Sequence, residues 1–316
     1  MKITLFGFIL FLCSISLGFG QAAQPAAVRI DANSAKGFSY PYYLLVPPEL
    51  KTATVKQTHT LLVIPNNSGK LDDDLAVQEN DVKRRIAQNG AFAGPLKGAV
   101  LMPVFPRPKT GWRIYTHALD RDSLITDRPE YKRLDLQLIA MIDDARERLA
   151  KDGLEFDKQV FITGFSASGM FANRFTFLHP TRVKAAAIGS PGGWPIAPSD
   201  TFKEKTLRYP IGTGDLKEVS GHKLDIKHLR KVPLFLFIGD QDTNDSAIYR
   251  DSYEDQDQDL IFELFGKTPV ERWGISETLY KRNRLNAEFK LYPGIEHKVT
   301  PEMRDDILKF FQKYID

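Results

Sequence analysis

One turn constrains this chain more than any other stretch: residues 158–169, KQVFITGFSASG. Val160, Phe161 and Ile162 form an apolar, β-branched and aromatic run that reads as a strand, and a helical pattern is in place from Met170. Between them, Gly164-Phe165-Ser166-Ala167-Ser168-Gly169 puts a serine at the apex of a strand, a tight turn and a helix. A nucleophile at such an apex stands in a strained backbone conformation, so the residues two before and two after it must be small for strand and helix to pass closely. Gly164 and Ser168 meet that demand, although a serine at the second position brings a Cβ and a hydroxyl into the contact. The same turn aims the amide of Ala167, at the start of the helix, toward the place where an oxyanion would form.

The rest of the chain supplies a sheet for this turn. Residues 28–31, 38–46, 60–64, 98–105, 184–189, 234–238 and 288–292 read as further strands, several of them nearly continuous apolar runs. Amphipathic helices are expected at 72–89, at 130–151 with Leu134, Leu138, Ile142, Ala145 and Leu149 on one face, and at the C-terminus around Met303, Ile307, Phe310, Phe311 and Tyr314. Apolar strands alternating with helices imply a mostly parallel sheet covered on both faces. Residues 195–231 and 250–286 do not follow the alternation and read as two insertions near the carboxyl ends of the strands, where an open parallel sheet binds its ligand. They are candidate substrate walls on an otherwise single domain, 21–316.

Residues 1–20 read as a secretory signal: Lys2, then the apolar stretch 3–12, then Gly18-Phe19-Gly20, with cleavage expected after Gly20. The apolar stretch is shorter than the roughly 20 residues that span a bilayer. The protein is therefore expected to be exported, periplasmic or secreted, with no stable membrane span after cleavage. Cys13 is the only cysteine, so a mature chain would carry no thiol chemistry and no cysteine-based metal site. The 43 basic and 40 acidic side chains are interspersed, with a formal charge of only +3. No basic stripe is available for nucleic acid.

A serine nucleophile needs a base within hydrogen-bond reach and a carboxylate to orient that base. His297, in LYPGIEHKV, follows a strand and a glycine turn. Asp242 stands just past the strand 234–238 in IGDQD, with Asp240 and Asp245 as competitors for the acid role. His59, His117, His179, His222 and His228 end no strand in the required order and read as ordinary surface or capped residues.

Gly-x-x-Asp after a late strand and Gly-x-x-His after the last one, in the chain order Ser166, Asp242, His297, resemble the α/β-hydrolase fold over nearly all of residues 21–316. Within it the layout resembles carboxylesterases of the polyhydroxybutyrate-depolymerase and feruloyl-esterase type. The resemblance implies attack by Ser166 on an ester carbonyl, proton transfer through His297, and orientation of its imidazole by Asp242. It implies a second oxyanion donor in the loop after the third strand, where this chain has Asn66-Asn67-Ser68-Gly69, so that an amide of Asn66 or Asn67 is expected to join that of Ala167. Trp112, Tyr115 and Phe165 are candidate substrate contacts. The expected partner is a small-molecule or polymeric ester.

No cofactor or metal is expected. Serine chemistry needs none, and the acidic stretch 240–259 lacks the glycine of an EF-hand loop. The charged insertion 195–231 has no long apolar face of the kind an interfacial lipase lid presents. Two rivals share the fold: a serine peptidase of the prolyl-oligopeptidase type, and an inactive binding protein.

Overall fold

The computed structural model describes residues 26–52, 57–67 and 69–315. The expected signal segment 1–20 and Ser68 of the asparagine turn lie outside the described residues.

An eight-stranded sheet runs through the molecule. Its members are β1 (Val28–Ile30), β2 (Tyr42–Leu45), β3 (Leu61–Val63), β4 (Ala99–Pro103), β5 (Val160–Phe165), β6 (Val183–Gly189), β9 (Leu234–Gly239) and β10 (Ala287–Tyr292), while β7 (Thr201–Phe202) and β8 (Lys205–Thr206) pair separately as a small hairpin. The order across the large sheet is β1-β2-β4-β3-β5-β6-β9-β10. The first two strands pair antiparallel and β2 meets β4 antiparallel, whereas every pairing from β4 to β10 is parallel. Parallel strands need both faces covered, and the sequence supplies apolar side chains for both.

On one face Leu61, Val63, Leu101, Ile162, Ala186 and Leu236 pack against Leu138, Met141 and Ile142 of α4 (Leu134–Lys151) and Phe171 and Phe175 of α5 (Ala167–Leu178). On the other, Leu62, Val100, Met102, Phe161, Phe235 and Phe237 meet Val82 and Ile86 of α2 (Leu75–Asn89) and Met303, Ile307, Phe310 and Phe311 of α10 (Pro301–Gln312). Period-two alternation within each strand sorts its residues between the two layers.

Two helix starts lie later than the sequence expectation. Helix α2 begins at Leu75, because Asp74 is its N-cap and accepts from the Ala76 amide. Leu71 precedes the helix and is 44% exposed. Helix α4 begins at Leu134 rather than at residue 130, since Arg133 takes a left-handed conformation and folds back onto Asp135. Helix α5 begins at Ala167, immediately after the apex serine, which is where the sequence places the first helical amide.

The stretch 250–286 divides in two. Helix α8 (Asp255–Phe265) packs with Trp194, Leu207 and Ile211 of the segment after β6. Helix α9 (Pro269–Arg282) instead lies on the sheet as the β9-to-β10 crossover, with Trp273 and Tyr280 edge-on to Phe289. This half belongs to the core layer and is not a substrate wall. Among the described residues no helix is long and apolar enough to cross a membrane.

Candidate active site

Ser166 has φ 61 and ψ −128, a conformation that strains any residue with a side chain. It persists because the backbone on both sides is over-determined. The Ser166 amide donates to the Gly189 carbonyl at the end of β6 (3.0 Å), and its carbonyl accepts from Met170 in the first turn of α5 (2.9 Å). A Cβ on Gly164 would lie 2.2 Å from the Ser168 carbonyl oxygen, and one on Gly169 would lie 2.4 Å from that of Gly189. The close approach thus demands glycine two before and three after the serine. Ser168 is tolerated and used: its hydroxyl donates to the Phe165 carbonyl at 2.8 Å and accepts from the Phe165 amide at 3.0 Å. Ala167 is the first residue of α5, so its amide has no acceptor within the helix.

His297 follows β10 and Asp242 follows β9, and these strands are parallel neighbours, so both side chains emerge at one sheet edge. Nδ1 of His297 lies 2.9 Å from Oδ2 and 3.1 Å from Oδ1 of Asp242. The imidazole is also 4.8 Å, centroid to centroid, from the ring of Phe165, the residue before Ser166. The Asp242 side chain is 1% exposed and that of His297 25%. Burial by itself would raise the Asp242 pKa. Hydrogen bonds from His297 and from the Asn244 amide (2.9 Å) outweigh it and hold the carboxyl below its ordinary value. With Nδ1 committed to the carboxylate, Nε2 is the ring nitrogen left for proton transfer.

The two competing aspartates have other partners. Asp240 accepts from the Gly294 amide at 2.6 Å and braces the turn that carries His297. Asp245 caps the short turn Ser246–Ile248 and forms an ion pair with buried Arg272.

Asn66 and Asn67 use their side chains to position the loop after β3. Buried Asn66 accepts from the Phe105 amide (3.0 Å) and donates to the Phe105 carbonyl (2.9 Å), with Nε2 of His117 3.0 Å away. Asn67 donates to the Phe165 carbonyl at 3.3 Å, docking the loop on the serine turn. What this loop can offer an oxyanion is therefore backbone N–H. Buried His117 is kept neutral, its pKa pulled down to about 3 chiefly by burial.

Trp112 is 42% exposed in the loop after β4, and Tyr115 is half-buried beneath the Arg107 guanidinium, 3.8 Å from its ring centroid. Phe165 packs between Phe237 and His297, which makes it a support for the imidazole. Sequence reasoning missed Arg107. It donates to the carbonyls of Trp112 (3.0 Å) and Ile114 (3.3 Å) and pairs with Asp251, tying the loop after β4 to the loop after β9. A lone arginine in a proline-rich loop carries no signal of a partner so distant in the chain.

No protein-family model and no curated protein matches the chain. Among solved structures it is similar to poly(aspartic acid) hydrolase-1 from Sphingomonas sp. KT-1, with 18% identity, a TM-score of 0.57, and coverage of 92% of this chain and 99% of that one. It is also similar to the poly(3-hydroxybutyrate) depolymerase LpqC from Bordetella parapertussis, with 18% identity, a TM-score of 0.53, and coverage of 92% and 91%. Sheet order, the serine turn between β5 and α5, and these likenesses agree: the fold of this chain is the α/β-hydrolase fold.

Proposed function

We propose that this protein is an exported serine hydrolase that cleaves carboxylic esters through Ser166, His297 and Asp242. The observation that carries the reading is the 2.9 Å pairing of His297 Nδ1 with Asp242, its imidazole 4.8 Å from the ring of Phe165, the residue before a serine held at φ 61. A lone histidine–aspartate pair has many uses. Next to a strained serine heading a helix, it has the parts of a nucleophile with its base and orienter.

In this mechanism Ser166 Oγ attacks the ester carbonyl carbon as its proton passes to Nε2 of His297. The oxyanion that forms is received by the Ala167 amide and by an amide of Asn66 or Asn67. The C–O bond to the alcohol then breaks, the imidazolium returns its proton to the departing oxygen, and an acyl-serine remains. Water, deprotonated by the same imidazole, attacks the acyl carbon and releases the acid and the serine. Asp242 remains ionised throughout and stabilises the imidazolium.

The choice of ester is supported by the likeness to a poly(3-hydroxybutyrate) depolymerase, and export by the signal pattern of residues 1–20. The test is covalent labelling of the purified protein by a fluorophosphonate probe, comparing wild type with Ser166→Ala and His297→Ala, followed by a panel of esters and peptides. Labelling that disappears in both variants, with turnover of esters over peptides, is expected. A folded wild type that does not label would overturn the reading. For export, the N-terminal residue of protein recovered outside the cytoplasm is expected to be Gln21.

A further inference from the structure

The loop after β6 reads Gly189-Ser190-Pro191-Gly192-Gly193. Ser190 is the residue in it that looks misplaced. Its φ is 40, in the left-handed region that strains every residue with a Cβ and suits glycine. It is buried, and its hydroxyl has no partner at hydrogen-bond geometry. A buried hydroxyl without a partner is a second cost to stability. Glycine would remove both costs, and the chain uses glycine at three neighbouring positions of the same turn. A position that breaks two local rules without return to the fold points to a role in the site.

Its location says which role. The Ser190 amide donates to the Phe237 carbonyl of β9 at 2.8 Å, and the preceding residue, Gly189, accepts the Ser166 amide. Ser190 therefore stands between the strand that delivers the nucleophile and the strand that delivers Asp242. The Asp242 carboxylate accepts from the Asn244 amide at Oδ1 and from His297 Nδ1 at Oδ2, and an ionised carboxylate has room for further donors. Its loop meets the loop of Asp242 where the Ser246 amide donates to the Gly192 carbonyl at 3.2 Å, and Ser190 belongs to the hydrogen bonding that favours the ionised form of Asp242. The bond falls short of full geometry in the resting site. Hydrogen bonds of catalytic groups commonly tighten only when charge develops.

We propose that Ser190 is a positioning residue for Asp242, its hydroxyl completing a third hydrogen bond to the carboxylate as the His297 imidazolium forms. This rests on the Ser166–His297–Asp242 reading above. With three donors the carboxylate keeps one rotamer and stays the weaker base, so the proton remains on the imidazole for return to the leaving alcohol.

The experiment compares wild type, Ser190→Gly and Ser190→Ala in thermal unfolding, in fluorophosphonate labelling rate and in steady-state hydrolysis of an ester that the wild type turns over. Ser190→Gly is expected to raise the melting temperature by about 2 °C, since strain and an unpaired hydroxyl are both removed. Both variants are expected to lower kcat by about tenfold at unchanged KM, the scale of one hydrogen bond to a charged group. A purely structural serine would leave kcat untouched, and wild-type kcat in both variants would overturn the proposal. A wild type that neither labels nor hydrolyses would overturn the triad reading and this inference together. A labelling wild type whose Ser190 variants react at the same rate would overturn this inference alone.

Discussion

The Ser168 hydroxyl closes both backbone groups of Phe165, donating to its carbonyl at 2.8 Å and accepting from its amide at 3.0 Å. A residue that departs from the expected pattern of small neighbours thus becomes a staple across the base of the serine turn. Ser168→Ala keeps the Cβ and removes the staple. It is expected to lower stability by about 1–2 kcal/mol and to slow labelling of Ser166, as read by urea unfolding and by probe kinetics. Unchanged stability would mean that solvent replaces the hydroxyl without loss.

Gly164 has no such latitude. A methyl group there would stand 2.2 Å from the Ser168 carbonyl oxygen, a backbone atom that cannot turn away. Gly164→Ala is expected to cost about 1–3 kcal/mol, the range for forcing extra volume into a packed site, and to abolish labelling even in the protein that remains folded. Circular dichroism together with labelling separates the two effects.

Three aspartates within six residues have three different tasks, and their asparagine variants should separate. Asp242→Asn leaves an amide beside His297 and is expected to reduce kcat on the order of 10³- to 10⁴-fold with little change in stability. Asp245→Asn leaves Arg272 buried and unpaired and is expected to cost about 3–5 kcal/mol. Asp240→Asn weakens the brace to Gly294 and should fall between them on both scales. A well-folded Asp245→Asn with the catalytic defect of Asp242→Asn would contradict the assignment of the acid.

Away from the site, Asp135 links the start of α4 to the end of α5. Burial alone would raise its pKa, but His179 at 2.8 Å and the bidentate Arg133 pull it down to about 2. A carboxyl depressed in the folded state contributes stability that is present above its unfolded pKa of about 4 and is lost as pH falls toward 2. The contribution is about 2 kcal/mol. Asp135→Asn is expected to be destabilised at neutral pH and to show a flatter decline below about pH 4, measured as urea midpoints against pH.

Arg107 ties the loop after β4 to the loop after β9 by spanning Trp112, Ile114, Tyr115 and Asp251. Neither Arg107→Ala nor Arg107→Lys can reproduce this, because only a planar guanidinium can fork to several acceptors while stacking on a ring. Both variants should be cut faster by protease within residues 108–114 and should raise KM more than they lower kcat. Rescue by lysine would show that charge alone matters.

What could be read from the chain alone was whatever is encoded over short distances. The strands 60–64, 98–105 and 234–238 are visible as apolar runs, and Ser166, Asp242 and His297 are visible because each follows a strand and a glycine within a few residues. The α/β-hydrolase fold is legible for the same reason, since it is a repeated local grammar of strand, turn and helix. The tertiary structure decided everything that depends on which distant segments meet. It put Asp242, and not Asp240 or Asp245, against His297. It made α9 a core helix rather than a substrate wall, turned Ser168 into a staple, and brought Arg107 to Asp251 across 144 residues. Periodicity reports which way a side chain points within its own element. Which partner waits there follows from the order and register in which the strands assemble.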